Sequence, residues 1–268
     1  MQSNGMPEDQ AHDVYRQALA ALEVSGVPFL VGGAFGLESY TGLVRRTKDL
    51  DLFVRSADRH RLMDGLSRAG FQTEWRFTHW LGKAWKGEHS VDVIFNSGNG
   101  LCVVDDLWFE HAVPSVVLGH RVNVVPAEEM LWSKAFVMER HRYDGGDIAH
   151  LLRARVHLLD WARLLRRFNV HWRVLFSHVL LFGYIYPAHR LRVPEWFMQE
   201  MLRRITLDMQ SLPADPRVCQ GTLLSWSQYL VDMDLGGYED ARHPPRGSLT
   251  WAETRHMTQV LTQELETP

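Results

Sequence analysis

The chain has only two cysteines in 268 residues, Cys102 and Cys219. They stand far apart and outside any CxxC or Cys/His spacing, which excludes a disulfide framework and gives no zinc site. Long apolar runs are also missing. The longest, Val174 to Ile185, is interrupted by Ser177, His178 and Gly183 and is too short to cross a bilayer, so no membrane span is expected. The opening stretch, Met1 to Gln10, is polar and acidic and lacks the charged-then-apolar order of a secretory signal, which points to a cytoplasmic location. Charge of one sign is scarce as well: the net charge of −3 gives no global argument for nucleic-acid binding, and any such binding would need a local patch. None of the 14 histidines falls in an HExxH or HxxxH spacing. Neither a GxSxG elbow nor a GxxxxGK[ST] loop occurs, which argues against a serine hydrolase and a P-loop ATPase.

What is present is a hydrophobic content of 46%, enough for real cores over one large domain or two modest ones. Apolar periodicity predicts a helix over Ala11 to Glu23, ended by Gly26. A short buried strand, Val27 to Val31, then enters Gly32-Gly33, and a helix restarts over Ala34 to Tyr40. Asp49 to Val54 reads as a strand, with Leu50, Leu52 and Val54 on one face and Asp49, Asp51 and Phe53 on the other. A helix over Ala57 to Ala69 follows, then strands at Phe71 to Phe77, Leu81 to Trp85 and Ser90 to Phe95, and a hairpin of Val113 to Leu118 with Arg121 to Val125. From Pro126 the pattern turns to long helical periods, broken at Asp144-Gly145-Gly146, Asn169, Pro187, Pro194 and a Pro213 to Pro216 turn, with a last helix over Thr250 to Glu264. The expected class is α+β: a mixed sheet with helices over residues 1–126, followed by a mainly helical region over residues 127–268.

The chemistry concentrates in two places on that frame. Asp49 and Asp51, two apart on a strand, project from the same face, so both carboxylates can hold one or two divalent cations, an arrangement that suits Mg²⁺ or Mn²⁺ over nucleotide phosphates. The paired glycines at the strand-to-helix turn let backbone N–H groups approach phosphate, with the helix N-terminus adding partial positive charge. Asp92 is the single charge in the apolar strand Val91 to Phe95, and a lone acid there needs a partner or a metal. Taken singly, DxD and GG are weak signals. A sugar transferase or an aspartyl-phosphate phosphatase could also carry DxD, but the first needs more strands before Asp49, and the second wants Thr or Val where Phe53 stands.

The conjunction of buried strand, GG, helix, apolar-flanked DxD and a third carboxylate on a later strand resembles the DNA polymerase β nucleotidyltransferase superfamily. More narrowly, Gly42, Arg45, Thr47, Asp49 and Asp51 are similar in spacing to small bacterial nucleotidyltransferases related to the abortive-infection (AbiEii-like) toxin family, often encoded beside an antitoxin. Pro126 to Met130, Lys134, Arg140, Arg142, Asp144 and Asp147 resemble that group's helical K and D-x-x-D motifs, and the likeness runs from about Val27 to Leu152. It implies an ATP-binding, metal-dependent nucleotidyltransferase core. Asp49, Asp51 and Asp92 would be metal ligands and Gly32, Gly33, Arg45 and Lys134 would bind nucleotide, with Asp147 as base or orienter. Gly145-Gly146 inside the D-x-x-D and the long Gly33 to Asp49 spacing depart from the pattern.

Structural roles compete for several of these residues: Lys134 as a surface charge, Asp144 as a helix N-cap, Thr47 as a turn hydroxyl. The donor expected is an NTP. The acceptor stays open among RNA or tRNA docked by Arg153, Arg155, Arg163, Arg166 and Arg167, a small molecule such as an aminoglycoside in a pocket of Trp161, Trp172, Tyr184, Tyr186, Trp196 and Trp226, and a protein. A solvated helix face and an ordinary core are the plain alternatives for those two sets. A non-catalytic nucleotide-binding partner of a toxin–antitoxin or defence system is the alternative function.

Overall fold

The computed structural model describes residues 7–212 and 215–266. Met1 to Met6 and the Pro213-Ala214 part of the expected turn lie outside them. The chain divides into two compact units, residues 1–126 and residues 127–268.

The first unit is built on a seven-stranded mixed sheet in the order β3-β4-β5-β2-β1-β7-β6. Its elements run α1 (Pro7–Ser25), β1 (Leu30–Val31), α2 (Gly33–Thr41), β2 (Asp49–Phe53), α3 (Arg59–Arg68), β3 (Gln72–Phe77), β4 (Leu81–Lys86), β5 (His89–Ile94), α4 (Asp106–Glu110), β6 (Val113–Val117) and β7 (His120–Val124). The alternation expected along β2 holds: Leu50, Leu52 and Val54 are fully buried, and with Val91 and Val93 of β5 they pack against Tyr15, Leu19 and Leu22 of α1 and Leu62, Met63 and Leu66 of α3. The strand expected from Val27 is shorter, two residues at Leu30–Val31, because Pro28 has no N–H to give a ladder. β2 runs parallel to β5 and antiparallel to β1. The helix α4, absent from the sequence expectations, is capped by Asp105, whose side chain accepts from the Leu107 N–H.

The second unit is mainly helical: α5 (Ala127–Ala135), α6 (Gly145–Arg155), α7 (Trp161–Phe168), α8 (Trp172–Ile185), α9 (Glu195–Met209), α10 (Leu230–Asp234) and α11 (Trp251–Glu266). A short parallel pair, β8 (Val218–Cys219) with β9 (Glu239–Asp240), sits among them. No helix among the described residues is long and apolar enough to cross a membrane.

Two residue sets that the sequence left open divide in this unit. The arginine set does not share one face: Arg153 and Arg166 are exposed and Arg155 is half-buried. Arg163 is buried between Glu128 and Glu129, Arg167 pairs with Glu129, and Arg153 lies over the Tyr186 ring. Nor do the aromatics line one pocket. Trp161, packed 4.7 Å from Phe197, is core, as are Trp172 and Trp226, while Tyr184 and Trp196 face solvent. Burial explains both outcomes. Helical spacing does not reveal which stripe faces the core when acids on another helix are there to neutralise it.

Candidate active site

The sheet face opposite α1 and α3 carries the acids. On β2, Asp49 and Asp51 point away from the leucines, both half-buried. In the parallel pairing of β2 with β5, Asp51 and Asp92 are register partners, so the third carboxylate stands beside the second on the same face. Asp92 is almost fully buried. Lys83 of β4 answers its charge, with Nζ donating to Oδ1 at 2.8 Å. Thr47, in the loop before β2, donates to Asp49 Oδ1 at 2.8 Å and also lies 3.0 Å from the Asp49 carbonyl oxygen. The hydroxyl thus holds a carboxylate of the acidic pair, a role its reading as a turn residue did not include.

The glycine pair is packed against the same acids. Gly32 donates its N–H to the Asp51 carbonyl at 2.9 Å. A Cβ on Gly32 would lie 2.3 Å from the Phe53 ring, which itself stacks on Trp108 of α4 at 5.2 Å. Gly33, with φ +53°, would place a Cβ 1.7 Å from Asp51 Oδ2 and 3.0 Å from Asp51 Cβ. Both glycines are therefore required by the close approach of the β2 side chains, whatever else their N–H groups do. Gly33→Ala is expected to lower the stability of the chain by about 1–3 kcal/mol, the cost of left-handed backbone plus a displaced carboxylate. A urea midpoint equal to that of the parent would show that Asp51 moves aside freely.

Tyr15 of α1 was not singled out by sequence. It is fully buried, lies edge-on to Phe35 and to His89, and its hydroxyl has no hydrogen-bond partner among the described residues. Burial first, and then the charges of Asp49, Asp51 and Asp92, push its phenol up to about 12. The acidic face is thus felt from within the core. Its placement one turn after Ala11 on the apolar stripe made Tyr15 look like ordinary packing.

Arg45 is exposed in the loop between α2 and β2. Lys134, on α5, belongs to the second unit, where its Nζ is 2.9 Å from Asp144 and 2.8 Å from Asp147, all three largely buried. Burial alone would lower the Lys134 ammonium, but Asp144 and Asp147 outweigh it and hold it above its usual range. Burial likewise opposes ionisation of Asp144, and Lys134 with Arg142 keeps that carboxyl below its ordinary value. Asp144 does occupy the N-cap position of α6, yet its side chain makes no cap hydrogen bond and turns to the two cations instead.

No three acidic, histidine or cysteine side chains among the described residues converge as a ready-made cation cage. The donor chemistry of the face still fits a hard divalent ion: all-oxygen carboxylates, two on one strand and a third beside them, with Asp49 and Asp92 each already held by a hydrogen bond.

Residues 14–97, about a third of the chain, match the family model of aminoglycoside-2''-adenylyltransferase. No curated protein matches. Among solved structures, the chain is similar to the antibiotic-resistance factor ANT(2'')-Ia, at 16% identity and a TM-score of 0.45, over 67% of this chain and 99% of that one. It is also similar to an antigenic nucleotidyltransferase-like protein from Paracoccidioides brasiliensis, at 16% identity and a TM-score of 0.45, over 69% of this chain and 92% of that one. A third likeness is to the lincosamide antibiotic adenylyltransferase LnuA, solved with lincomycin bound, at 16% identity and a TM-score of 0.40, over 52% of this chain and 94% of that one. The segment matched by the family model, residues 14–97, is the one that holds Tyr15, Gly32, Gly33, Thr47, Asp49, Asp51, Lys83 and Asp92.

Proposed function

We propose that the chain transfers a nucleoside monophosphate from an NTP to an acceptor hydroxyl, with release of pyrophosphate. The observation that carries this reading is the row of acids on one sheet face, Asp49 and Asp51 on β2 with Asp92 in register beside Asp51, backed by a glycine pair packed against Asp51. Asp49, Asp51 and Asp92 would hold Mg²⁺ or Mn²⁺, which when bound neutralises phosphate charge and lowers the barrier to in-line attack. Thr47 fixes the Asp49 carboxylate and Lys83 fixes that of Asp92, so the acids are pre-oriented before substrate arrives. The N–H groups at the start of α2 would receive phosphate oxygens, and exposed Arg45 in the adjoining loop would add positive charge.

For the acceptor we favour a small hydroxylated molecule of the aminoglycoside class. The family match over residues 14–97 supports it, and the ion pairs that hold Arg163 and Arg167 take two of the five arginines out of the set offered for RNA. Of the residues behind the narrower likeness to abortive-infection toxins, Lys134 and Asp147 pair with each other in the second unit.

The test is incubation of the purified chain with Mg²⁺ and each α-³²P-labelled NTP, offering aminoglycosides, total RNA and the protein itself as acceptors, with an Asp49→Ala/Asp51→Ala control. Label is expected on an aminoglycoside and absent in the control. Transfer to RNA or protein instead would replace the acceptor, and NTP binding without transfer to any of them would leave a nucleotide-binding module.

A further inference from the structure

Asp92 already has a cation. In the antiparallel pairing of β4 with β5, Lys83 and Asp92 are register partners, and in the parallel pairing of β5 with β2, Asp92 partners Asp51. One row across the sheet therefore reads Lys83, Asp92, Asp51: an ammonium, then two carboxylates side by side. The ion pair at its end is largely out of water, with the Lys83 side chain 22% exposed and that of Asp92 12%. Screening is weak at such a place, and two adjacent carboxylates repel, so the ammonium does the neutralising that a metal ion would do on this face.

We propose that Lys83 is a positioning residue of the metal site: it holds the Asp92 carboxylate in place until a divalent ion takes that carboxylate over, so that ammonium and ion compete for it. The inference rests on the metal-binding reading of the acidic face given above. It differs from a purely structural cross-strand pair in one respect. A structural pair is indifferent to the ion, whereas a competing pair makes ion binding weaker than the acids alone would allow and makes the ion loosen Lys83.

Both consequences can be measured on the full chain without turnover. Mn²⁺ alone is titrated and free Mn²⁺ followed by its EPR signal, for the parent, Lys83→Met, Lys83→Arg and Asp51→Asn. Lys83→Met is expected to bind Mn²⁺ about tenfold more tightly or better, since a unit charge next to the site has been removed. Lys83→Arg should stay near the parent and Asp51→Asn should lose the binding. Should Lys83→Met fold poorly, the parent answers by itself: acetylation of Lys83 by acetic anhydride, followed by mass spectrometry, should accelerate when Mn²⁺ is added. Equal Mn²⁺ affinity in parent and Lys83→Met, or an acetylation rate that Mn²⁺ leaves unchanged or slows, overturns the competition while the loss in Asp51→Asn keeps the metal reading. Absence of Mn²⁺ binding in every form overturns both.

Discussion

Asp51→Asn should abolish nucleotidyl transfer while leaving the fold intact. Asparagine has the shape of the aspartate it replaces, so the tight packing of Asp51 against Gly33 survives, and only the charge and one acceptor oxygen are lost. The loss falls where charge matters most. Catalysis of phosphoryl transfer is mainly positioning and charge neutralisation, and removing one well-placed contact of that kind costs on the order of a thousandfold in rate. Stability should move the other way or not at all, because Asp51 stands beside Asp92 in register and the variant relieves repulsion between them. Label transfer under saturating NTP, read with the melting temperature, separates the two effects. A variant that melts like the parent and still transfers label at about a tenth of the parental rate would remove Asp51 from the metal site.

Arg163→Ala should destabilise the second unit by about 3–5 kcal/mol, the cost of leaving buried charge without its partner. Arg163 Nη1 reaches both Glu129 oxygens, at 2.7 and 2.6 Å, and Nη2 reaches Glu128 Oε2 at 2.5 Å. Arg167 adds a bond from Nε to Glu129 at 3.0 Å, and Glu128 Oε1 accepts the Asp160 N–H that opens α7. Two guanidiniums thus face two carboxylates between α5 and α7, and the fully buried Glu129 would be left with Arg167 alone. A lysine in place of Arg163 would be no substitute for the fork, since a point charge cannot bond two carboxylates in the same plane, so Arg163→Lys should fall between parent and alanine. Urea unfolding gives the comparison. A loss below about 1 kcal/mol would mean that water enters and solvates the acids.

Much of the first unit was legible because its signals are local. The period-two alternation of Asp49 to Val54 placed the two aspartates on the face away from the core, and that is where they lie. The pair Lys83 and Asp92 was legible in principle. A tight turn between Lys86 and His89 fixes the register of the hairpin, and counting back from it sets position 83 opposite position 92. What hid the pair was reading β4 and β5 as separate strands and Asp92 as solitary. Tyr15 was hidden differently, since its buried hydroxyl and the acids that act on it come from segments that no spacing rule links. In the second unit the apolar periods gave helices but not their facing. Arg163 and Arg167 share a helix with leucines, and only the acids of α5, more than one element away, decide that they turn inward.

The hairpin of β4 and β5 also sets an order of assembly. Lys83 and Asp92 are nine positions apart and meet across one short turn, whereas β2 must reach β5 over a stretch several times longer that contains α3 and β3. Loop closure costs less for the near pair, and local contacts form sooner than distant ones. Asp92 is therefore expected to be neutralised before Asp51 arrives, so that the strand completing the acidic face docks against a neighbour whose charge has been answered.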